Sequence, residues 1–464
     1  MLFNTAIFFV FLAVVLALFY ASPRGLRRYI LLAASYFFYG YWNYKFIPLL
    51  LILTAIDYTA GIWIEKVGAG TKRKAVLILS LSANLGFLGF FKYFNFVAGN
   101  VALLMGKPAG YFFHDIVLPL GISFHTFQSM SYVIDVYRGQ QKPVRDPIDY
   151  ALYICFFPQL VAGPIVRARN FFHDLWNWSP PSGEDISSGF FLLILGLTKK
   201  MAFADQFAKV ANSYFHDVPA HPGMATAWCG VFAFAIQIYF DFSGYTDMAI
   251  GMAKLLGFHF PINFRRPYLA QSVTDFWRRW HISLSSWLRD YLYIPLGGSR
   301  HGRLATYRNL ILTMLLGGLW HGASWNFLIW GGYHGCLLAV ERVFRGDRHP
   351  VEKWTWMYPV KAAVTFCLVL VGWVFFRPAD LPESLRILQQ MFHGGPGPTL
   401  LETWHLELIA IALVLAVAEE KLDWSDAVVK GPVWAYASAV AAMLLFVEVF
   451  GAIDAAIPFV YFQF

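Results

Sequence analysis

Residues 1–23, MLFNTAIFFVFLAVVLALFYASP, carry no charged side chain. The apolar part of this stretch is long enough to cross a hydrocarbon core about 30 Å thick as one helix. Arg24, Arg27 and Arg28 follow the stretch, whereas a cleaved signal peptide carries its positive charge in front of the apolar run. We therefore expect a membrane helix that is retained in the protein, followed by a basic cytoplasmic turn.

The rest of the chain has the same apolar character. Of its 464 residues, 58% are hydrophobic and only 14% are charged, whereas a soluble domain carries about 25% charged residues. This composition argues against disordered chains, coiled coils, disulfide-rich secreted scaffolds and soluble enzymes. Apolar segments recur along the sequence, and their lengths predict an all-α, polytopic membrane protein with roughly 10–13 transmembrane or re-entrant helices. Since no repeat or Ser/Pro-rich linker is present, we expect a single membrane domain over residues 1–464.

The charge balance is basic, with 36 Lys and Arg against 28 Asp and Glu, a net charge of +8. In a membrane protein such an excess reflects positive cytoplasmic loops and contacts with anionic lipid headgroups. Nucleic-acid binding would require a basic face on a soluble module. We therefore expect membrane lipids, and not nucleic acid, as partners.

Several polar or ionisable side chains lie inside apolar runs, where each costs about 2.5–3.5 kcal/mol on insertion scales. These residues are Asp57, Asn84, His125, Asp135, Asp241, Asp247, His281, His321 and His334. They are too many to be accidental and too scattered to form one helix face. Together they predict a wet interior site.

His321 is the most informative of these residues. It lies in the sequence Gly317-Gly318-Leu319-Trp320-His321-Gly322, whose glycines let a backbone or a ligand approach closely. An imidazole can accept and return a proton near neutral pH. The alternative is a structural histidine that bonds to a backbone carbonyl, but the glycine-rich surroundings favour a catalytic role.

Residues Thr274–Leu292 place tryptophans and arginines at helical spacing on opposite sides. This pattern predicts one amphipathic helix that lies horizontally or re-enters the membrane. His281 borders its two faces and could be a general base, a hydrogen-bonding anchor or a structural residue. Arg278 and Arg279 could hold a phosphate-rich donor such as a coenzyme A nucleotide, or contact lipid headgroups.

Four further polar residues are interpreted as supporting the site. Asp241 and Asp247 could orient a histidine, carry protons in a transporter, or pack around Gly244. His125 and His334 are expected to be structural rather than directly catalytic.

Other common catalytic motifs are missing from the sequence. It contains no GxSxG elbow, no HExxH helix and no paired Cys/His zinc spacing. We therefore expect no metal site. The functions that remain are acid/base or acyl-relay chemistry centred on a histidine, or transport.

The motifs taken together resemble the membrane-bound O-acyltransferase family, and within it the bacterial branch that contains the membrane subunit of alginate O-acetyltransferase. The likeness runs along nearly the whole chain, with a motif-rich catalytic core at about residues 118–345. The stretches that carry it are Pro119-Leu120-Gly121-Ile122-Ser123-Phe124, Tyr132-Val133-Ile134-Asp135-Val136-Tyr137-Arg138, Ala162-Gly163-Pro164-Ile165, Tyr239-Phe240-Asp241-Phe242-Ser243-Gly244-Tyr245, Trp277–Tyr293 and Trp320-His321-Gly322.

This resemblance implies helices around a central funnel and acyl transfer across the bilayer, with His321 as the essential histidine. It implies a multi-pass protein of the bacterial inner membrane that takes acetyl from cytoplasmic acetyl-CoA, without a bound cofactor. The acetyl group would pass to a periplasmic acetyltransferase partner and then to an exopolysaccharide such as alginate. Acetylation of cellulose or another envelope polymer, D-alanylation, and a proton-coupled polymer or lipid transporter remain alternatives. His281 falls where eukaryotic relatives often carry Asn.

Overall fold

The computed structural model describes residues 1–346, 354–452 and 457–460, and these residues form helices and connecting loops without a strand. Helices are expected here because a backbone in lipid must satisfy its hydrogen bonds internally. The α-helices are α1 (Ala6–Ala21), α2 (Arg24–Asn43), α3 (Ile47–Lys66), α4 (Thr71–Leu88), α5 (Phe94–Leu104), α6 (Ile122–Tyr137), α7 (Pro147–Cys155), α8 (Ala168–Trp176), α9 (Gly183–Thr198), α10 (Asp205–His216), α11 (Met224–Leu255), α12 (Val273–Arg279), α13 (Ile282–Leu288), α14 (Gly302–His321), α15 (Trp325–Arg345), α16 (Tyr358–Trp373), α17 (Leu381–His393), α18 (Thr403–Leu422), α19 (Trp424–Lys430) and α20 (Val433–Phe450).

Helical stretches long and apolar enough to cross a membrane occur at Arg24–Lys66, Thr71–Leu104, Gly183–His216, Met224–Leu255 and Val433–Phe450. The N-terminal apolar stretch forms the shorter helix α1, and α16 is a second short apolar helix. The predicted all-α membrane class is therefore confirmed. The central funnel and the helix count of roughly 10–13, which came from bilayer length, stay predictions.

The chain divides into two compact units. Unit 1 comprises residues 1–190 and 248–261, and unit 2 comprises residues 191–247 and 262–464. Each unit is described separately below, for the residues that the structure describes. A single domain over the whole chain stays a prediction.

In unit 1, buried polar groups tie neighbouring helices together. Asp57 on α3 accepts hydrogen bonds from Ser80 Oγ at 2.6 Å and from Asn84 Nδ2 at 2.8 Å, both on α4. Burying a polar group raises the free energy of the folded state unless the group is hydrogen-bonded. The hydrogen bonds between α3 and α4 therefore offset the cost of burying these side chains. Asp57 and Asn84 are therefore helix-packing residues in this structure.

In unit 2, α14 and α15 form a hairpin whose backbones touch. A Cβ atom added to Gly318 would lie 2.2 Å from the carbonyl oxygen of Phe327, and one added to Gly331 would lie 2.2 Å from that of Met314. Since no real side chain tolerates such distances, only glycine permits this approach. His321 is the last residue of α14, so this close packing fixes its position.

The stretch Thr274–Leu292 is not one continuous helix, and that prediction is wrong. It forms α12, then α13, then a π-helical turn at Arg289–Tyr293. The break falls at His281, whose φ of 43° is left-handed. Asn263 holds the break, because its carbonyl oxygen accepts from Ile282 N at 2.9 Å and its Oδ1 accepts from Ser283 N at 3.1 Å. Helical periodicity cannot reveal a break that a distant residue imposes.

Candidate active site

His321 lies in unit 2 with only 5% of its surface exposed. Three aromatic rings surround its imidazole, with centroid separations of 4.9 Å to Trp320, 5.1 Å to Trp330 and 5.2 Å to Phe376. These rings come from α14, α15 and the turn after α16. Packing against three rings restricts the range of orientations open to the imidazole.

His281 is fully buried and contacts the same group of rings. Its imidazole stands perpendicular to the ring of Phe242 at a centroid separation of 4.7 Å, and lies 6.1 Å from Trp320. Trp320 therefore contacts both His281 and His321. A non-glycine residue in the left-handed region carries backbone strain, and such residues cluster at functional sites.

Burial also determines the charge of His281. Desolvation lowers the pKa of His281 to about 3, because a buried site disfavours the charged form. The imidazole is therefore neutral near pH 7, with one nitrogen as donor and the other as acceptor.

His334 on α15 is joined to the same rings. Its imidazole lies 5.0 Å from Trp330 and 5.3 Å from Trp277, and its nitrogens have no hydrogen-bond partner among the described residues. The structure thus brings three of the four candidate histidines together. We call these three histidines and the five rings that contact them the aromatic cluster: His281, His321, His334, Phe242, Trp277, Trp320, Trp330 and Phe376.

Asp241 and Asp247 on α11 are paired with two consecutive lysines. Lys199 Nζ lies 2.5 Å from Asp247 Oδ2, and Lys200 Nζ lies 2.8 Å from Asp241 Oδ1 and 2.6 Å from Asp205 Oδ1. Both lysines belong to the π-helical turn Lys199–Ala204. Both carboxylates are therefore ion-paired with lysines, and neither is held by one of the described histidines of unit 2. The lysines were overlooked in the sequence, although two adjacent charges inside an apolar run were a visible signal.

Arg278 and Arg279 differ in their surroundings. Arg279 pairs with Asp275 at 2.8 Å and with Glu420 at 3.0 Å, and Glu420 also pairs with Arg266 at 2.6 Å. Arg278 is exposed. Of these two arginines, Arg278 is therefore accessible to a ligand, whereas Arg279 is held in ion pairs with Asp275 and with Glu420 of α18.

His125 is buried on α6, in unit 1. It does not belong to the aromatic cluster, which is formed within unit 2. No group of three or more His, Cys, Asp or Glu residues able to hold a metal ion occurs in the described part of the chain. The expectation that no metal is bound stays a prediction.

Sequence reasoning missed the residues that build the cluster around the histidines. Trp330 and Phe376 follow His321 by 9 and 55 positions, and only Trp320 stands beside it in the sequence. Asn263 belongs to none of the motifs described above. These contacts depend on tertiary packing, so periodicity and local spacing contained no signal for them.

Comparison with known proteins shows the family. The model of the membrane-bound O-acyltransferase family matches residues 71–376. A Pseudomonas putida protein named "Probable alginate O-acetylase AlgI" is 44% identical over 399 residues, which cover 85% of this chain and 81% of that protein.

Two further relatives act on other polymers according to their names. A peptidoglycan O-acetyltransferase of Helicobacter pylori is 39% identical over 84% of this chain and 80% of its own length. A teichoic acid D-alanyltransferase of Bacillus subtilis is 28% identical over 57% of this chain and 69% of its own length. These matches confirm the resemblance drawn from the motifs. The chain belongs to the membrane-bound O-acyltransferase family and is an O-acyltransferase.

Proposed function

We propose that this O-acyltransferase moves an acetyl group from acetyl-CoA to a cell-envelope polysaccharide such as alginate, with His321 as the central catalytic residue. The observation that carries the proposal is the pair of buried imidazoles, His281 and His321, that contact one ring, Trp320. The names of the relatives support the reaction, since a relative 44% identical is named a probable alginate O-acetylase and one 39% identical is named a peptidoglycan O-acetyltransferase.

His321 acts as the general base. Its imidazole accepts the proton of the acceptor hydroxyl while the oxygen attacks the acetyl carbonyl, and it then returns the proton to the departing thiolate. Such assistance accelerates a reaction by roughly 10²–10⁴-fold. A transient acetyl-histidine would use the same residue as nucleophile. Trp330 and Phe376 keep the ring oriented in either case.

His281 and Arg278 have supporting parts in this proposal. His281 is neutral near pH 7 and donates or accepts a hydrogen bond with the reacting groups, while its ring contacts Trp320 beside His321. Arg278 is exposed and attracts the phosphates of the donor, because a guanidinium pairs well with phosphate oxygens.

The cellular setting follows from the same reasoning. The donor enters from the cytoplasm, the protein spans the bacterial inner membrane, and the acetyl group is delivered to a periplasmic acetyltransferase partner and to the polysaccharide. Apolar membrane-length helices support the membrane location.

Peptidoglycan is a second candidate acceptor, because the Helicobacter pylori relative is a peptidoglycan O-acetyltransferase of comparable coverage. The relatives named for D-alanylation of teichoic acid are less similar. We therefore place O-acetylation ahead of D-alanylation.

The test compares cells that carry the wild-type chain with cells that carry His321→Ala. We expect the O-acetyl content of one extracted polymer, measured by proton NMR, to fall to background in the variant. Alginate and peptidoglycan are extracted in parallel, so the polymer that loses acetyl identifies the acceptor. Unchanged acetylation of both polymers in His321→Ala, at equal protein level in the membrane, would overturn the proposal.

A further inference from the structure

The segment Ile457–Val460 lies against α11 in unit 2. The backbone N–H of Val460 donates to Asp241 Oδ2 at 2.6 Å. The ring of Phe459 stacks on Tyr245 with a centroid separation of 5.0 Å and contacts Phe242 at 5.7 Å. Phe459 and Val460 are both buried. The segment therefore covers the part of α11 that carries Phe242.

The acceptor of this hydrogen bond is part of a buried ionic group. Lys200 bridges Asp241 and Asp205, so two carboxylates share one ammonium. Such a group is costly in the interior unless further hydrogen bonds satisfy its remaining oxygens. The N–H of Val460 supplies one of these bonds to Asp241, and a hydrogen bond to a charged acceptor is stronger than a neutral one.

A second set of contacts holds the chain just before this segment. Ala452 N donates to the carbonyl oxygen of Met201 at 3.2 Å, and Gln206 Nε2 donates to that of Phe450 at 2.5 Å. Met201 lies in the same π-helical turn as Lys200, and Gln206 follows that turn. Residues 450–452 and 457–460 are therefore both fastened to the region around Lys200.

The fastened segment leads to the aromatic cluster. Phe459 contacts Phe242, the ring of Phe242 meets that of His281 at 4.7 Å, and His281 contacts Trp320 beside His321. We propose that Phe459 is a positioning residue: Asp241 latches the segment Ile457–Val460 so that Phe459 holds Phe242 against His281. This inference rests on the proposed function, because it assumes that the aromatic cluster is the acyl-transfer site.

The latch is tested by hydrogen–deuterium exchange of the full chain in detergent, without any activity measurement. In Asp241→Asn the acceptor for Val460 N–H loses its charge, so the peptide containing Val460 should exchange at least several-fold faster. The matched control is Asp247→Asn on the same helix, which removes the partner of Lys199 and has no described contact with the segment. Equal exchange in Asp241→Asn and wild type would overturn the latch.

The positioning role is tested by transfer kinetics with radiolabelled acetyl-CoA, normalised to folded protein. Phe459→Ala should lower kcat about 10-fold with an unchanged KM for acetyl-CoA, and Phe459→Tyr should restore kcat because the ring returns. A merely structural residue would reduce the amount of folded protein instead. Wild-type kcat in Phe459→Ala would overturn the positioning role.

His321→Ala is measured in parallel to separate the two proposals. If His321→Ala is inactive and Phe459→Ala is normal, only the positioning role fails. If His321→Ala is active, the proposed function fails, and the exchange experiment still decides whether the latch exists.

Discussion

At the scale of single residues, His281 combines a strained backbone with a buried imidazole. Asparagine tolerates the left-handed conformation better than most residues, so His281→Asn should keep the fold and remove only the imidazole. We expect kcat to fall about 10- to 100-fold, because the variant loses a hydrogen bond to the reacting groups, and such a bond to a charged group contributes about 1.5–3 kcal/mol. Because burial keeps the pKa of His281 near 3, the imidazole does not titrate between pH 5 and 8. The acid limb of the pH–rate profile should therefore stay in place in the variant, and a displaced limb would contradict the assigned role.

The two adjacent arginines give a second comparison at this scale. Arg278→Ala should raise the KM for acetyl-CoA severalfold and leave the melting temperature in detergent unchanged, because Arg278 is exposed. Arg279→Ala should instead destabilise the protein by about 1–3 kcal/mol, because Asp275 and Glu420 lose a hydrogen-bonded partner. If Arg278→Ala lowered the melting temperature and Arg279→Ala raised only the KM for acetyl-CoA, the roles given to the two arginines would be wrong.

At the scale of elements, the hairpin of α14 and α15 places His321. Gly331→Ala puts a Cβ against the carbonyl oxygen of Met314, so the helices must separate, at a cost of about 1–3 kcal/mol. Activity should fall with stability because the contact of Trp330 with His321 is displaced. The control is Gly86→Ala on α4, where an added Cβ meets nothing within 4 Å. Equal melting temperatures for the two variants would contradict the described packing.

Elements also show where sequence reasoning stops. The long apolar runs predicted the membrane helices, because bilayer thickness sets a length that can be counted. The break at His281 was not predicted, because the hydrogen bonds of Asn263 impose it from outside the segment. The glycines around His321 predict room for a ligand or a backbone, and in the structure Gly318 and Gly322 both lie against Phe327 of α15.

At the scale of the whole molecule, composition and motif order were sufficient for the class and the family. The sequence also contained His321, His281 and His334 as candidates, and the structure places all three in the aromatic cluster. The sequence did not predict how these histidines are arranged, because Trp330 and Phe376 contact His321 only through tertiary packing. Asp241 and Asp247 were candidates for orienting a histidine, but the structure pairs them with Lys199 and Lys200 instead.

The central claim is that His321 performs acetyl transfer, and purified protein in proteoliposomes tests it most directly. Radiolabelled acetyl-CoA is supplied with alginate oligosaccharide or peptidoglycan fragments as acceptor, with the periplasmic partner present. Transfer of label should drop at least 100-fold in His321→Ala. It should stay at the wild-type rate in His173→Ala, which makes the same change at a surface histidine whose side chain is 74% exposed. Transfer by His321→Ala at the rate of His173→Ala would contradict the claim.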